Sequence, residues 1–399
     1  MFRSCCYSRL LRHKETLIRT RRNLILGIET SCDDTGAAVI DLSGRLLGES
    51  LSTQLSTRFG GVIPTFAMVF HTDKIQGVVE EALKQADVTM EDVSVIAVTN
   101  RPGLKGPLII GTDYAKYLCT KYNKPLIPIH HMAAHALTVR MEQDVKFPFL
   151  FLLISGGHCI LGIAKDIDNF TLLGEGLDGS PGEMLDKAAR NLKLHSLPNM
   201  RDISGGLAVE TLAKKAVNPI KFTVPLHNER NCNFSFSGYK GHLHLVLRRL
   251  EKNRELPFDS QSVIPEASDV CAGLQYAVSK HLCERLQRGI EFTEYKELMS
   301  VGSTLVVSGG VASNQFIRGS ISRVCESLGW KAVFPNPKLC TDNGIMIAWA
   351  GYEFWRSERG IIQPQDVFQV PVIPKCPIGN NISQEVTQAN LKCKWVSME

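Results

Sequence analysis

Long apolar runs are missing from this 399-residue chain. The longest, such as residues 147–154, fall far short of the ~20 residues that a membrane-crossing helix needs, so no membrane insertion is expected. Paired cysteines at metal-ligand spacing are missing as well. The chain has 12 cysteines and none forms a Cys-x-x-Cys, so no zinc knuckle is encoded. Scattered thiols of this kind read as reduced and intracellular, not as disulfide staples. No His-Glu-x-x-His occurs, which removes the usual zinc-protease route to peptide hydrolysis. No short-period repeat is present, so a solenoid is excluded. What remains is ordinary globular composition, 44% hydrophobic and 21% charged, with length enough for two packed domains.

The formal charge of +5 is unevenly placed. Residues 1–22 carry Arg3, Arg9, Arg12, Lys14, Arg19, Arg21 and Arg22 against one acid, Glu15. The rest of the chain holds 38 basic and 39 acidic residues, a net of −1. A head rich in Arg and hydroxyls, nearly free of acid and without an apolar core, reads as a mitochondrial transit peptide. The alternative is a basic arm that binds nucleic acid. A near-neutral body argues against strong non-specific RNA affinity.

Three segments share one outline. Residues 24–28 form an apolar strand, 29–36 a polar turn and 37–40 a second strand. Residues 147–164 run the same way through Ser155, Gly156, Gly157 and His158. Residues 304–307 form a strand that enters Ser308, Gly309 and Gly310 and then a helix. Each strand delivers small polar residues to its tip, where glycine lets backbone N–H groups approach an anion. Between them lie helices at 72–85 and 111–122 and strands at 93–99 and 125–129. Alternating strands and helices predict an α/β fold with parallel pairing, and the opening hairpins make the sheets mixed. Two halves that start alike suggest a duplicated domain around a cleft. The expected division is a transit peptide at 1–22, a first lobe at 23–145 completed by a helix at 342–358, a second lobe at 146–341 and a polar tail at 375–399.

Several residues could carry chemistry. His131 and His135 lie four apart after a strand, so on a helix they share a face, while His130 points about 140° away from His135. Paired imidazoles suit a divalent transition metal, although two His on one helix are more often a core or solvated pair. Asp342 precedes an apolar helix at 345–350 and could supply a carboxylate ligand; capping by Asp342 or Thr341 would explain the same residues. The turns at 155–158 and 308–314 have the glycine content of phosphate-binding turns. Ser180, Pro181, Gly182 and Glu183 fit a capping box, with Met184, Leu185, Ala188, Ala189 and Leu192 on the apolar face of the helix that follows. Its polar face, Glu183, Asp186, Lys187 and Arg190, could reach a substrate, or pair Glu183 with Lys187 on a solvated surface. The basic stretch 240–254 could touch RNA phosphates or be a solvated helix face.

Taken in order, these pieces resemble one family. The segments LGIETSCDDTGAAVID at 26–41, PIHHMAAHA at 128–136, LLISGGH at 152–158, GEGLDGSPGEMLDKAARNL at 174–192, SFSGYKG at 235–241, VVSGGVASNQ at 306–315 and CTDNGIMIAWAG at 340–351 are similar to the TsaD-type tRNA threonylcarbamoyladenosine synthases, once labelled O-sialoglycoprotein endopeptidases. The likeness is greatest to the mitochondrial branch. Seven ordered motifs over ~330 residues are far more specific than any one of them. The resemblance implies two similar lobes of the actin/Hsp70/sugar-kinase type. It implies transfer of threonylcarbamoyl from threonylcarbamoyl-AMP to the exocyclic amine of adenosine 37, beside the anticodon, in mitochondrial tRNAs reading ANN codons. It implies one divalent ion, iron or zinc, on His131, His135 and Asp342. Substrate contacts carry over to Leu153, Ile154, Ser155, Gly156 and Gly157, and to Asp186, Gly206, Glu210, Ser313, Asn314 and Thr341. The acidic first hairpin matches Asp33 and Asp34, and Asp33 is the candidate base. Partners would be tRNA, the activated donor and the enzyme that makes it; monomer and homodimer both stay open. The chain departs from the family at Ala133-Ala134, where many members have Glu-Gly, at Asp33-Asp34, where many have Asp-Glu, and over 195–203. A kinase or chaperone of the same fold is the competing class.

Overall fold

The computed structural model describes residues 23–54, 62–201, 203–253 and 263–398, so the proposed transit peptide lies outside the described residues. The strands are β1 (Leu24–Glu29), β2 (Asp34–Asp41), β3 (Leu46–Thr53), β4 (Val93–Arg101), β5 (Leu126–His130), β6 (Phe149–Ile154), β7 (Cys159–Ala164), β8 (Phe170–Glu175), β9 (Thr304–Ser308), β10 (Lys331–Val333) and β11 (Asn380–Asn381). The helices are α1 (Pro64–Gln85), α2 (Lys105–Tyr122), α3 (His131–Leu137), α4 (Pro181–Asn191), α5 (Gly205–Ala213), α6 (Ser237–Asn253), α7 (Ala267–Tyr295), α8 (Gln315–Ser327), α9 (Gly344–Arg356) and α10 (Ser383–Ala389). Two compact units result. One runs to Ala134 and resumes over Asp342–Cys376; the other holds His135–Thr341 and Pro377–Glu399.

The first unit is built on a sheet of order β3-β2-β1-β4-β5. β1 pairs antiparallel with β2 and parallel with β4. Every residue of β1 is buried, as a strand covered on both faces must be. Leu24, Leu26 and Ile28 pack with Ile75, Val78 and Val79 of α1 and Ala115 and Leu118 of α2. The opposite face receives α9. A methyl group at Gly27 would stand 2.2 Å from the Ala348 backbone nitrogen, and one at Gly344 would stand 2.4 Å from the Ala37 carbonyl carbon. Glycine at both positions lets helix and sheet backbones touch. α1 begins at Pro64, well before the expected residue 72, because a proline suits the first helical turn.

The second unit repeats this plan with β10-β9-β6-β7-β8 and adds β11 at the edge. β6 pairs antiparallel with β7 and parallel with β9. The matching strand orders are those of two similar actin/Hsp70/sugar-kinase-type lobes. The break falls at Ala134 instead of at residue 145. Of residues 375–399, expected to be a polar tail, those from Pro377 on belong to the second unit: β11 pairs with β8, and Val386 and Met398 are buried in its core. The few apolar side chains there suffice to hold an otherwise polar segment in place.

Candidate metal and substrate site

Strand β5 ends at His130 and α3 starts at His131, with alanines at 133 and 134 favouring the helix. His131 and His135 lie one turn apart and both are buried. His130 turns elsewhere, its Nε2 standing 3.2 Å from the Cys376 carbonyl oxygen. The cap of α9 is Asn343, whose Oδ1 accepts the Met346 N–H at 2.9 Å. Neither Asp342 nor Thr341 is the cap, so helix capping does not account for the Asp342 carboxylate. Ligand atoms of His131, His135 and Asp342 lie within 4.8 Å of one another, and His131 Nε2 stands 3.5 Å from Asp342 Oδ1. Two imidazoles and one carboxylate at this spacing fit a divalent transition ion with coordination positions left for substrate.

The surroundings of His131 are anionic. Burial opposes its charge, but Asp342 and Glu29 outweigh burial and lift its pKa to about 9. Glu29 shows the reverse balance: burial raises its pKa, and His131 brings it below the ordinary carboxylate value. Where the β1–β2 turn enters β2, burial first and the Asp342 charge second push Asp34 up to about 7. Buried His71 braces this turn. Its Nδ1 lies 2.7 Å from Thr35 Oγ1 and its Nε2 lies 3.0 Å from the Cys32 carbonyl oxygen. Burial, then the neighbouring carboxylates, raises the Cys32 thiol and leaves it protonated.

In the second unit the β6–β7 turn is closed by its own residues. Ser155 Oγ accepts the N–H groups of Gly157 and His158, at 3.3 and 3.0 Å. Leu153 and Ile154 point into the core, so only their backbone is available to a ligand. Ser180 Oγ donates to the Gly156 carbonyl at 2.6 Å and accepts the Glu183 N–H at 3.2 Å, which ties the turn to the start of α4. Glu183 accepts from Lys187 Nζ at 2.6 Å and Lys240 Nζ at 3.2 Å, so it is engaged structurally. That contact also occupies one cation of the basic stretch, whose Arg248, Arg249 and Lys252 are exposed.

Asp186 and Gly206 form one pair, and Glu210 and Asn314 meet the start of α8. Asp186 Oδ1 accepts the Gly206 N–H at 3.1 Å. Glu210 Oε1 accepts the Gln315 N–H at 3.0 Å. Asn314 caps α8 through Ile317 N–H and donates from Nδ2 to Gln275 Oε1 at 3.0 Å. Burial raises the Asp186 pKa, partly offset by Gly206 N–H and Arg190. Thr341 lies beside Gly310, its Cγ2 being 3.9 Å from where a Gly310 Cβ would sit. A cavity of about 940 Å³ opens within this unit, lined by Glu210, Phe222, Gln275, Tyr276, Gln315 and Phe316 among others. Sequence reasoning missed Glu29, Gln275 and the aromatic residues of this cavity. Glu29 had one visible signal, a charge at the end of an otherwise apolar strand. Gln275 had none.

Comparison with known proteins matches residues 45–349 to the family model described as tRNA N6-adenosine threonylcarbamoyltransferase. The mitochondrial tRNA N6-adenosine threonylcarbamoyltransferase of Mus musculus is 44% identical over 97% of this chain and 93% of its own length. The human protein of that name is 42% identical over 94% of this chain and 91% of its own. The tRNA N6-adenosine threonylcarbamoyltransferase of Anaplasma phagocytophilum is 41% identical over 85% and 94%. Among solved structures, HypF from T. kodakarensis superposes with a TM-score of 0.50 at 13% identity, over 88% of this chain and 49% of that one, a likeness of fold alone.

Proposed function

The chain belongs to the tRNA N6-adenosine threonylcarbamoyltransferase family, and we propose that it moves threonylcarbamoyl from threonylcarbamoyl-AMP to the exocyclic amine of adenosine 37 in mitochondrial tRNAs reading ANN codons. Its place of work is the mitochondrion, as for these relatives. The observation that carries the reading is the convergence of His131, His135 and Asp342.

These three residues would hold one divalent ion, iron or zinc by the donor set, which would supply Lewis-acid polarisation of the donor. The backbone of Leu153, Ile154, Ser155, Gly156 and Gly157 contacts the donor. Asp186 and Glu210 accept hydroxyl hydrogen bonds, Gly206 allows close approach, and Ser313, Asn314 and Thr341 orient the adenylate. The apolar cavity beside Glu210 receives a flat base. An adenine amine is a weak nucleophile, so a carboxylate must take its proton as the bond to carbon forms. Asp33, beside Asp34 at the start of β2, is the candidate. The AMP leaving group departs with the electron pair of the broken C–O bond. The donor comes from a separate activating enzyme. Among the described residues no helix is long and apolar enough to cross a membrane.

The double variant His131→Ala/His135→Ala tests the reading. Metal content and threonylcarbamoyladenosine in mitochondrial tRNA, read by nucleoside mass analysis, should both collapse while the fold survives. Full modification by the folded variant would refute the metal assignment.

A further inference from the structure

Glu29 is the one charged residue of β1, and none of its surface reaches solvent. A buried carboxylate is costly, and an apolar residue at the end of this strand would serve stability as well or better. Its surroundings show what it does. Ser31 N–H donates to Oε1 and Thr99 Oγ1, from the adjacent strand β4, donates to Oε2 at 2.5 Å. One oxygen is therefore held by the β1–β2 turn and the other by the sheet. The same Oε2 stands 3.2 Å from His131 Nδ1, and Ser31 Oγ stands 3.1 Å from that nitrogen. The other ring nitrogen, Nε2, faces Asp342.

We infer that Glu29 is a positioning residue for the metal site: by accepting the His131 Nδ1–H it selects the tautomer whose Nε2 lone pair faces the Asp342 carboxylate, and it locks the ring plane there. A carboxylate behind a ligating imidazole raises the basicity of the ligand and removes its rotational freedom; losing such a partner typically weakens metal binding by about 10–100-fold. Thr99 and Ser31 stand one step further out and hold the carboxylate that holds the ring. No atom of Glu29 is assigned to substrate. The inference rests on the reading of His131, His135 and Asp342 as ligands.

The test uses the full chain and Zn²⁺ as the probe, with affinity measured by competition against a chromogenic chelator. Glu29→Gln preserves volume and an acceptor but loses the charge; Thr99→Val leaves the carboxylate but frees it. The expected result is at least tenfold weaker zinc binding for Glu29→Gln and a smaller weakening, about threefold, for Thr99→Val. The d–d spectrum of the Co²⁺-loaded protein should change in both, a signature that a merely structural role would not move. Glu29→Asp should recover part of the affinity. Should Glu29→Gln fail to fold, Thr99→Val decides. Wild-type zinc affinity and an unaltered Co²⁺ spectrum in folded Glu29→Gln, or in Thr99→Val where it decides, overturn the inference. His135→Ala separates the two failures: if it binds zinc as tightly as the wild type, the ligand reading falls. If it loses zinc while the Glu29 and Thr99 variants keep wild-type affinity, the positioning role alone falls.

Discussion

His281 offers a stability measurement whose magnitude follows from the structure. It lies on α7 with no exposed surface, among the rings of Phe234, Phe236 and Tyr239. Its Nε2 accepts the Ser235 N–H at 3.0 Å, which requires the neutral ring with hydrogen on Nδ1. Burial first, and Arg285 second, lower its pKa to about 3. The unfolded chain binds a proton at His281 below about pH 6.5, whereas the folded chain refuses it until about pH 3, so folding loses stability as pH falls through that window and gains nothing above it. Each pH unit inside the window is worth about 1.4 kcal/mol, so at pH 4.5 the loss is about 2.7 kcal/mol. His281→Gln keeps an acceptor for Ser235 and removes the titration. Urea unfolding of both proteins, free of metal, at pH 4.5, 5.5, 6.5 and 7.5 yields two curves. Repacking around glutamine adds a constant offset, and all other titrating groups are common to both chains. The wild-type curve should fall below the variant's by about 1.4 kcal/mol per unit between pH 6.5 and 4.5, relative to their separation at pH 7.5. Parallel curves would show that the ring takes up its proton without unfolding, and the account of a neutral, desolvated His281 would be refuted.

Asp34 has the opposite linkage. Its raised pKa means that the unfolded chain ionises it first, so the folded state loses stability from about pH 4 up to about pH 7 and stays penalised above. Asp34→Asn should therefore stabilise the metal-free protein at pH 8 by about 2 kcal/mol, allowing for partial solvation; a destabilised variant would contradict the burial argument. Asn343→Ala removes the α9 cap and should cost about 1 kcal/mol in urea unfolding, with weaker zinc binding because Asp342 precedes the cap. Unchanged unfolding would mean that Asn343 does not cap. Gly27→Ala drives a methyl group into the α9 backbone, which cannot yield as a side chain can. The expected cost is about 3 kcal/mol or more, seen as a large fall in the thermal midpoint; a wild-type midpoint would disprove the close approach.

Local periodicity was enough to place β1, β2, β4, β5, β6, β7 and β9 and their glycine-rich tips, whereas β3, β8, β10 and β11 went unread. A buried strand needs a continuous apolar run, and a tight turn at its end needs glycine and small polar residues; both are written in consecutive positions, as in Leu24–Glu29 and Phe149–Ile154. The shared face of His131 and His135 was legible for the same reason, since helical geometry converts a four-residue spacing into proximity. The ordered motifs identified the family. Other features depend on contacts between residues far apart in the chain. Asp342 is separated from His135 by five of the six strands of the second sheet, and whether it capped a helix or joined the histidines was decided by Asn343 taking the cap. Glu29 looked like the start of a polar turn until β4 and α3 brought Thr99 and His131 to its Oε2. Residues 377–399 looked like a tail, because a few apolar side chains in a polar segment make no periodic pattern, yet Val386 and Met398 find the core. The sequence alone determined the central strands, their tips and the helix bearing the paired histidines, since each follows from neighbours within a few residues. Tertiary structure decided which of the buried charges face one another, because such pairing depends on where the sheet and its crossover helices deliver them.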